Sequence, residues 1–547
     1  MPESTPSQAL QIKETLISIV ISFVMAFVFR GFVIEGFQIP TGSMAPTLLG
    51  KHEHIRNPDT GSEWEVGPWQ YAGGRVNGPP SREQLGLELN DPITWGDVNR
   101  PREPLLAGDR IFVLKYLRHV HEPRRWDVVV FKNPSTQENY IKRLIGLPNE
   151  QIALVDGDVF TRPYTKGETA ESGVETWEAG GWTIARKPER VQRAMFQTVF
   201  DSRLTPSEPG PEYRSPWEAD QAGVWEGLRE PDTYRYTGSG ATRLTWSTSR
   251  PINDWYPYNQ TNAKIKPGQT TYAPAMPYPV SDVAVRMGFE AGAAHERVSP
   301  VLTARGHEFR AVLEDGSARV EMRAEGVDAW TTLDSGEFAG FEPGRITDVE
   351  FWHVDQTLWL FVDGELVAGG APKGAETRGA YELSPAERFL DSTGRTLASV
   401  IESNPGDPRV TNSPLGVQEM YRKPSLAWTF DGGAFSVHRA TIKRDIYYQV
   451  SPVYNLPTFG GDPRHFPSLG ADEFFVCGDN SPESKDARLW NRQDGAPDPW
   501  IADQIDPSVG KVNRKLMIGH AFVVYFPAPL RAGKIPVPDL GRVRWIW

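Results

Sequence analysis

The first pattern along the chain is an apolar run. From Leu16 to Phe29 only Ser18, Ser22 and Ala26 break a series of large apolar residues, and the run resumes after Arg30 with Phe32, Val33 and Ile34. That is close to the ~20 residues needed to cross a bilayer. Arg30 sits near one end, where its side chain can snorkel to the headgroups. The alternative is a cleaved signal peptide, but the run exceeds a usual signal core and no Ala-x-Ala site follows it. Lys13 and Glu14 cancel ahead of it, so charge is nearly silent on orientation.

Beyond the run the period changes. Residues 51 to 104, rich in Gly, Pro and charge, predict surface loops. Arg110 to Tyr116, Asp127 to Lys132 and Tyr140 to Ile145 read as short strands. Gln151 to Phe160 reads as a hairpin turning at Asp156 and Gly157. From about 161 to 444 the pattern is looser, with more Trp, Pro and Gly. Pro188 opens a short predicted helix carrying Val191, Met195 and Phe196 on one face. Strand signals return at His307 to Leu313, Ala318 to Arg323, Val349 to His353 and Thr357 to Val362, with Asp363 and Gly364 as a tight turn. Phe435 to Val437 reads as a strand of the same sheet. After Asp445 the compact strand pattern of 110–160 resumes, with strands at Phe474 to Cys477 and Met517 to Tyr525.

The expected architecture is therefore mainly β. An N-terminal transmembrane anchor covers 1–34, and a β-rich domain is split into 35–160 and 445–547. An inserted domain covers 161–444, with a β-sandwich-like core at about 278–372 plus 435–444. A chain of 547 residues is too long for one ordinary domain. The net charge of -12 argues against nucleic acid as the main partner. The lone Cys477 permits neither an internal disulfide nor a CxxC metal site.

Ser43 lies between Gly42 and Met44, on a turn stiffened by Pro40 and Pro46. A serine nucleophile needs a base, and no G-x-S-x-G or H-E-x-x-H pattern supplies one. Burial can depress a lysine amine until it serves as that base. Lys142, on an apolar strand where it alternates with Tyr140 and Leu144 against Ile141, is the first candidate, and Lys115 at a strand end is the rival. A polar loop from Gly478 to Arg488 follows a buried strand. In it Ser484 can hold a lysine amine, and Asp486 can pair with Arg488. His52 and His54, with no cysteine beside them, make no metal set, and nothing in this chemistry calls for a cofactor.

These segments, in the order Pro40 to Leu48, Gly108 to Tyr116, Tyr140 to Pro148 and Gly478 to Arg488, resemble the boxes of bacterial type I signal peptidases, a serine/lysine protease family. The resemblance covers about 35–160 and 445–530, under half of the chain. It implies Ser43 as nucleophile, Lys142 as general base, and the Thr41 hydroxyl with the Ser43 N–H as oxyanion hole. It implies that Ser484 orients Lys142 and that Asp486 and Arg488 brace the site. Small-residue pockets would be lined by Phe37, Ile39, Met44, Leu48, Tyr140 and Ile141. Substrates would be exported preproteins, cut outside the bacterial cytoplasmic membrane by a single-pass enzyme anchored in the bilayer. Pro482 and Ala487 depart from the polar residues common in the last box. Two other readings stay open. One is a decayed, membrane-tethered β-sandwich module whose Trp330, Trp352 and Trp359 stack on a surface or carbohydrate partner. The other, a self-cleaving repressor, lacks a visible DNA-binding module. The insert is expected to supply no catalytic group.

Overall fold

The computed structural model describes residues 8–67, 87–94, 97–100, 105–116, 122–133, 138–164, 174–178, 180–206, 213, 215–230, 232–256, 258–259, 277–292, 296–370, 378–407, 410–411, 413–450, 459–463, 466–490, 510–532 and 535–547. The apolar run forms one helix, Gln8–Phe32. Its 25 residues rise about 37 Å at 1.5 Å each. The stretch Ile12–Phe32 is long and apolar enough to cross a membrane and is not buried by the rest of the chain. Ile34, placed by sequence with the anchor, already begins a strand.

That strand, Ile34–Gln38, is the edge of an antiparallel sheet. Across the sheet follow Arg110–Lys115, Met517–Phe526, Val128–Lys132, Asn139–Gly146, Glu473–Cys477 and Val512–Asn513. Segments far apart in sequence thus become neighbours. Val129 pairs with Lys142, and Cys477 pairs with Arg143. The apolar side holding Ile39, Met44, Leu48, Ile111 and Val113 forms a core under the Ser43 turn. The hairpin Glu150–Val155 with Asp158–Pro163 turns at Asp156 and Gly157, with φ of 50° and 87°, and its outer strand pairs with Thr183–Ile184. Both positive φ values suit a two-residue turn that matches the twist of the strands.

Two further sheets lie within 197–444. One has Val283–Ala291 at its centre, between Phe435–Arg444 and Ile346–Val354. The other has Arg297–Ala304 between Ser425–Asp431 and His307–Glu314. Their facing side chains, among them Val285, Phe289, Leu302, Phe309, Trp428 and Phe430, join one apolar core. Strands at Gln197–Asp201, Trp217–Ala219, Thr233–Tyr236 and Thr242–Trp246 extend these sheets beyond the expected 278–372 and 435–444. The same core runs on into Leu144, Ile152, Leu154 and Phe475 of the first part.

Polar groups also bind the two parts together. Asp156 and Asp158, at the hairpin turn, meet Arg305 and Arg388, and Ser392 donates to Asp156 at 2.7 Å. Lys187 is buried between Asp355 at 2.5 Å and Asp445 at 3.0 Å.

The loop expectation for 51–104 fails in part. Glu53–Arg56 pairs with Glu63–Val66, and Ile55, Trp64 and Val66 make a small buried cluster with Val98. Four-residue strands between glycines and charges carry too little periodicity to be read before their partner is known. Residues 68–86, 95–96 and 101–104 lie outside the described residues.

Candidate active site

Ser43 sits in the middle of a single 3-10 turn, Gly42–Met44. Met44 and Leu48 are fully buried and pin the turn to the core beneath. Asp109 ties it down from the side. Its backbone carbonyl accepts from Ile39 N at 2.9 Å, and its carboxylate accepts from Leu49 N and Ala528 N, both at 3.0 Å. Gly108 is required beside it, since a Cβ there would lie 1.8 Å from the Ile39 carbonyl oxygen.

Lys142 comes from the strand Asn139–Gly146. Its Nζ lies 2.7 Å from Ser43 Oγ and 3.1 Å from the Ile141 carbonyl oxygen, to which it donates. The residue is 4% exposed. Burial pushes its pKa from 10.5 to about 8. Asp486 opposes the shift and Arg488 adds to it. Near neutral pH the amine therefore carries a usable neutral fraction. Lys115, the rival base, is engaged elsewhere. It donates to Gly31 O at 2.8 Å and pairs with Glu35 at 3.0 Å.

The loop after Cys477 closes the site. Asn480 N donates to Ser43 O, and Asn480 Nδ2 donates to Gly42 O, both at 3.1 Å. Asp486 accepts from Gly478 N at 2.8 Å and from Arg488 Nε and Nη2 at 2.8 and 2.7 Å. Both side chains are wholly buried, and the arginine holds the carboxylate below its usual range against the cost of burial. Arg488 also donates to Gln449 O, Ser481 Oγ and Ser481 O. The departures fit this geometry. Pro482 lies in the short turn Ser481–Glu483, and Ala487 is fully buried with its N–H on Val476 O. Ser484 Oγ is buried beside Asp486 and over Gly478, without a hydrogen bond of ordinary geometry.

Next to Asp479, Arg143 donates Nε and Nη2 to that carboxylate at 2.7 and 2.6 Å, and Nη1 to Trp126 O and Trp547 O, both at 2.7 Å.

A cavity of about 390 Å³ opens over Ser43 and Lys142. Thr41, Tyr140 and Ile141 line it. Ile39, Met44 and Leu48 do not, since at 2%, 0% and 0% exposure they belong to the core under the turn, with Phe37 packed against them. Glu483 lines the cavity too, and burial pushes its carboxyl up to about 7.

Sequence reasoning missed Asp109, Asn480, Tyr258 and Asn259. The first two stand in the family-like boxes. Tyr258 and Asn259 fall in the region expected to stand clear of the chemistry, yet Tyr258 lines the cavity and Asn259 bonds Asn480. His52 bonds the Gly50 carbonyl, and His54 lies near Glu63 and Glu65. Asp158, Asp282 and Asp355 come close together in the interior, but Arg388, Arg305 and Lys187 already occupy them. Trp352 and Trp359 are core residues at 0% and 6% exposure, which leaves them no face for a sugar. Trp330 is stacked by Arg310 and Arg323.

A model of the signal peptidase family, peptidase S26, matches residues 98–185, which include Lys142. This stretch of the chain is similar to that family. Signal peptidase I of Rickettsia canadensis is 32% identical over 185 residues, covering 33% of this chain and 54% of that protein. Signal peptidase I of Rickettsia typhi is 31% identical over 170 residues, covering 31% and 50%. That of Buchnera aphidicola from Schizaphis graminum is 30% identical over 138 residues, covering 25% and 30%. The chain thus spans about half or less of the length of these relatives. Among solved structures, a carbohydrate binding module from Bacillus subtilis is 9% identical at a TM-score of 0.22, covering 42% of this chain and 96% of its own. A galectin from Caenorhabditis elegans is 13% identical at 0.18, covering 32% and 91%. Nothing about fold or ligand follows from scores that low.

Proposed function

We propose that the protein is a membrane-anchored signal peptidase that removes N-terminal signal peptides from exported preproteins. Ser43 is the nucleophile and Lys142 the general base. The observation that carries this reading is the 2.7 Å contact between Ser43 Oγ and a buried lysine amine whose pKa is brought down to about 8. Neutral Lys142 takes the Ser43 proton as Oγ attacks the scissile carbonyl. The Thr41 hydroxyl and the Ser43 N–H stabilise the oxyanion. Lys142 gives the proton to the leaving amine, then deprotonates the water that attacks the acyl carbon, and returns that proton to Ser43 Oγ as the C–O bond breaks. Ser484 is the residue that orients Lys142, from its buried place beside Asp486. Tyr140 and Ile141 contact the residues ahead of the cut.

The helix Ile12–Phe32 anchors the enzyme in the bacterial cytoplasmic membrane, with the rest of the chain on the outer side. Anchoring concentrates it beside substrates whose own apolar segments lie in the same bilayer. Residues 35–160 and 445–547 form the catalytic part, and 161–444 are an insert between them. The test is cleavage of a preprotein in detergent by the wild type and by Ser43→Ala. The wild type should release the mature N-terminus and Ser43→Ala should not. Equal cleavage by both would remove Ser43 from the mechanism.

A further inference from the structure

Removing a proton from Ser43 needs only Lys142, yet a third segment grips the nucleophile turn, and it comes from the region between the two catalytic parts. Asn259 is 2% exposed. Its Nδ2 donates to Asn480 Oδ1 at 2.6 Å, and its Oδ1 accepts from Asn480 Nδ2 at 3.1 Å. That same Nδ2 of Asn480 donates to Gly42 O, and the Asn480 N–H donates to Ser43 O. A side-chain amide can turn over about its last torsion. With Asn259 in place, a turned Asn480 would set oxygen against the Gly42 carbonyl and like against like at Asn259. The pair therefore holds the Asn480 amide in the one orientation that satisfies the Gly42 carbonyl, while the Asn480 backbone N–H serves the Ser43 carbonyl.

The neighbouring ring adds a steric hold. Tyr258 packs on Ala45 and Leu49. A Cβ on Gly42 would lie 2.5 Å from its hydroxyl oxygen, and one on Gly67 would lie 3.1 Å away. The ring is fitted between two glycine backbones, one of them adjoining Ser43.

The segment is rigidly mounted. Asn253 Oδ1 accepts from Trp255 N and Tyr256 N at 3.0 and 3.2 Å. Arg444 Nη2 donates to Asp254 O and Tyr256 O at 3.0 and 2.8 Å. Arg444 ends the long strand Phe435–Arg444 of the large inserted sheet. Asn259 N donates to Trp255 O at 3.1 Å, so hydrogen bonds connect that sheet to the turn that presents Ser43.

We infer that Asn259 is a positioning residue for the Ser43 nucleophile, delivered by the inserted region, which is thereby part of the catalytic assembly and not a module hung outside it. The inference rests on reading Ser43 and Lys142 as the reacting pair. Asn259 touches neither substrate nor reacting atoms and acts through Asn480.

The experiment uses the full chain in detergent with a signal-peptide substrate, and measures kcat and KM. The variants are Ser43→Ala, Asn259→Ala, the isosteric Asn259→Asp, Asn480→Ala, and each Asn259 change combined with Asn480→Ala. Thermal melting reports which variants are folded. Asn259→Asp keeps the shape and the acceptor and, as a carboxylate at the assay pH, puts a charged oxygen where the donor to Asn480 stood, so it carries the test if Asn259→Ala does not fold. Both Asn259 variants should lower kcat about tenfold or more, because misplacing reacting groups costs rate, with KM within about twofold. Neither should lower kcat further in the Asn480→Ala background. A folded Asn259→Asp with wild-type kcat, or losses that multiply with that of Asn480→Ala, overturns the inference while leaving the dyad reading intact. Cleavage retained by Ser43→Ala overturns the dyad reading and this inference with it.

Discussion

Lys142 makes the pH dependence of cleavage a quantitative test. Its amine is brought to about 8 by burial, against 10.5 for a free lysine. At pH 7 about one amine in ten is then neutral, whereas about one in three thousand would be at the free value, a difference of about 300-fold in competent base. Raising the pH through 8 removes the proton, so kcat/KM should climb about tenfold per unit below 8 and level off above about 9. The assay is kcat/KM on a fluorogenic signal-peptide substrate free of His, Cys and Lys, between about pH 6 and 10. Glu483, which lines the same cavity and titrates at about 7, is removed from the comparison by running the profile again in Glu483→Gln. The limb that survives in this variant belongs to Lys142. A rate still climbing about tenfold per unit between about pH 9 and 10 would mean that the amine is not depressed. A rate that falls as the pH passes 8 would mean that the charged amine is the active form. Either result refutes the reasoning.

Two other sites give separate predictions. Asp479→Ala leaves the wholly buried Arg143 guanidinium without its carboxylate and should cost about 3–5 kcal/mol in urea unfolding. A loss below about 1 kcal/mol would show that the two carbonyls on Arg143 suffice. Gly478→Ala places a Cβ 2.2 Å from Ser484 Oγ and 2.4 Å from Ser43 O, forcing the loop and the nucleophile turn apart. It should lower kcat about a hundredfold for a stability loss of about 1–3 kcal/mol, and near-normal turnover would mean the loop can move without moving Ser43.

Local signals in the sequence were enough for the elements with short-range causes. Asp156 with Gly157, and Asp363 with Gly364, turn their hairpins with φ of 50° followed by 87° and 86°, as Asp-Gly pairs favour. Alternation placed Lys142 against Ile141. In the structure Leu144 and Ile141 indeed pack into different apolar clusters. Pro188 precedes the short helix Glu189–Met195, with Val191 and Met195 buried. What stayed hidden depends on partners brought from elsewhere in the chain. Glu53–Arg56 and Glu63–Val66 are strands because they find each other and close over Trp64. Trp352 and Trp359 could be placed in the core only once the sheet around them was known. Asp109 follows a glycine in the second family-like box, but its hold on Leu49 and Ala528 is a matter of folding. Asn259 has no local pattern at all, since its side-chain bonds go to Asn480, 221 residues further along the chain.

The claim that Ser43 and Lys142 work as one unit is tested most directly by kcat for Ser43→Ala, Lys142→Ala and the double variant on one signal-peptide substrate. Groups that move a single proton between them are lost together when either is removed. The account predicts that each single change abolishes cleavage and that the double variant is no worse than either. Losses that add in full, or a Lys142→Ala enzyme that still turns over, would contradict it.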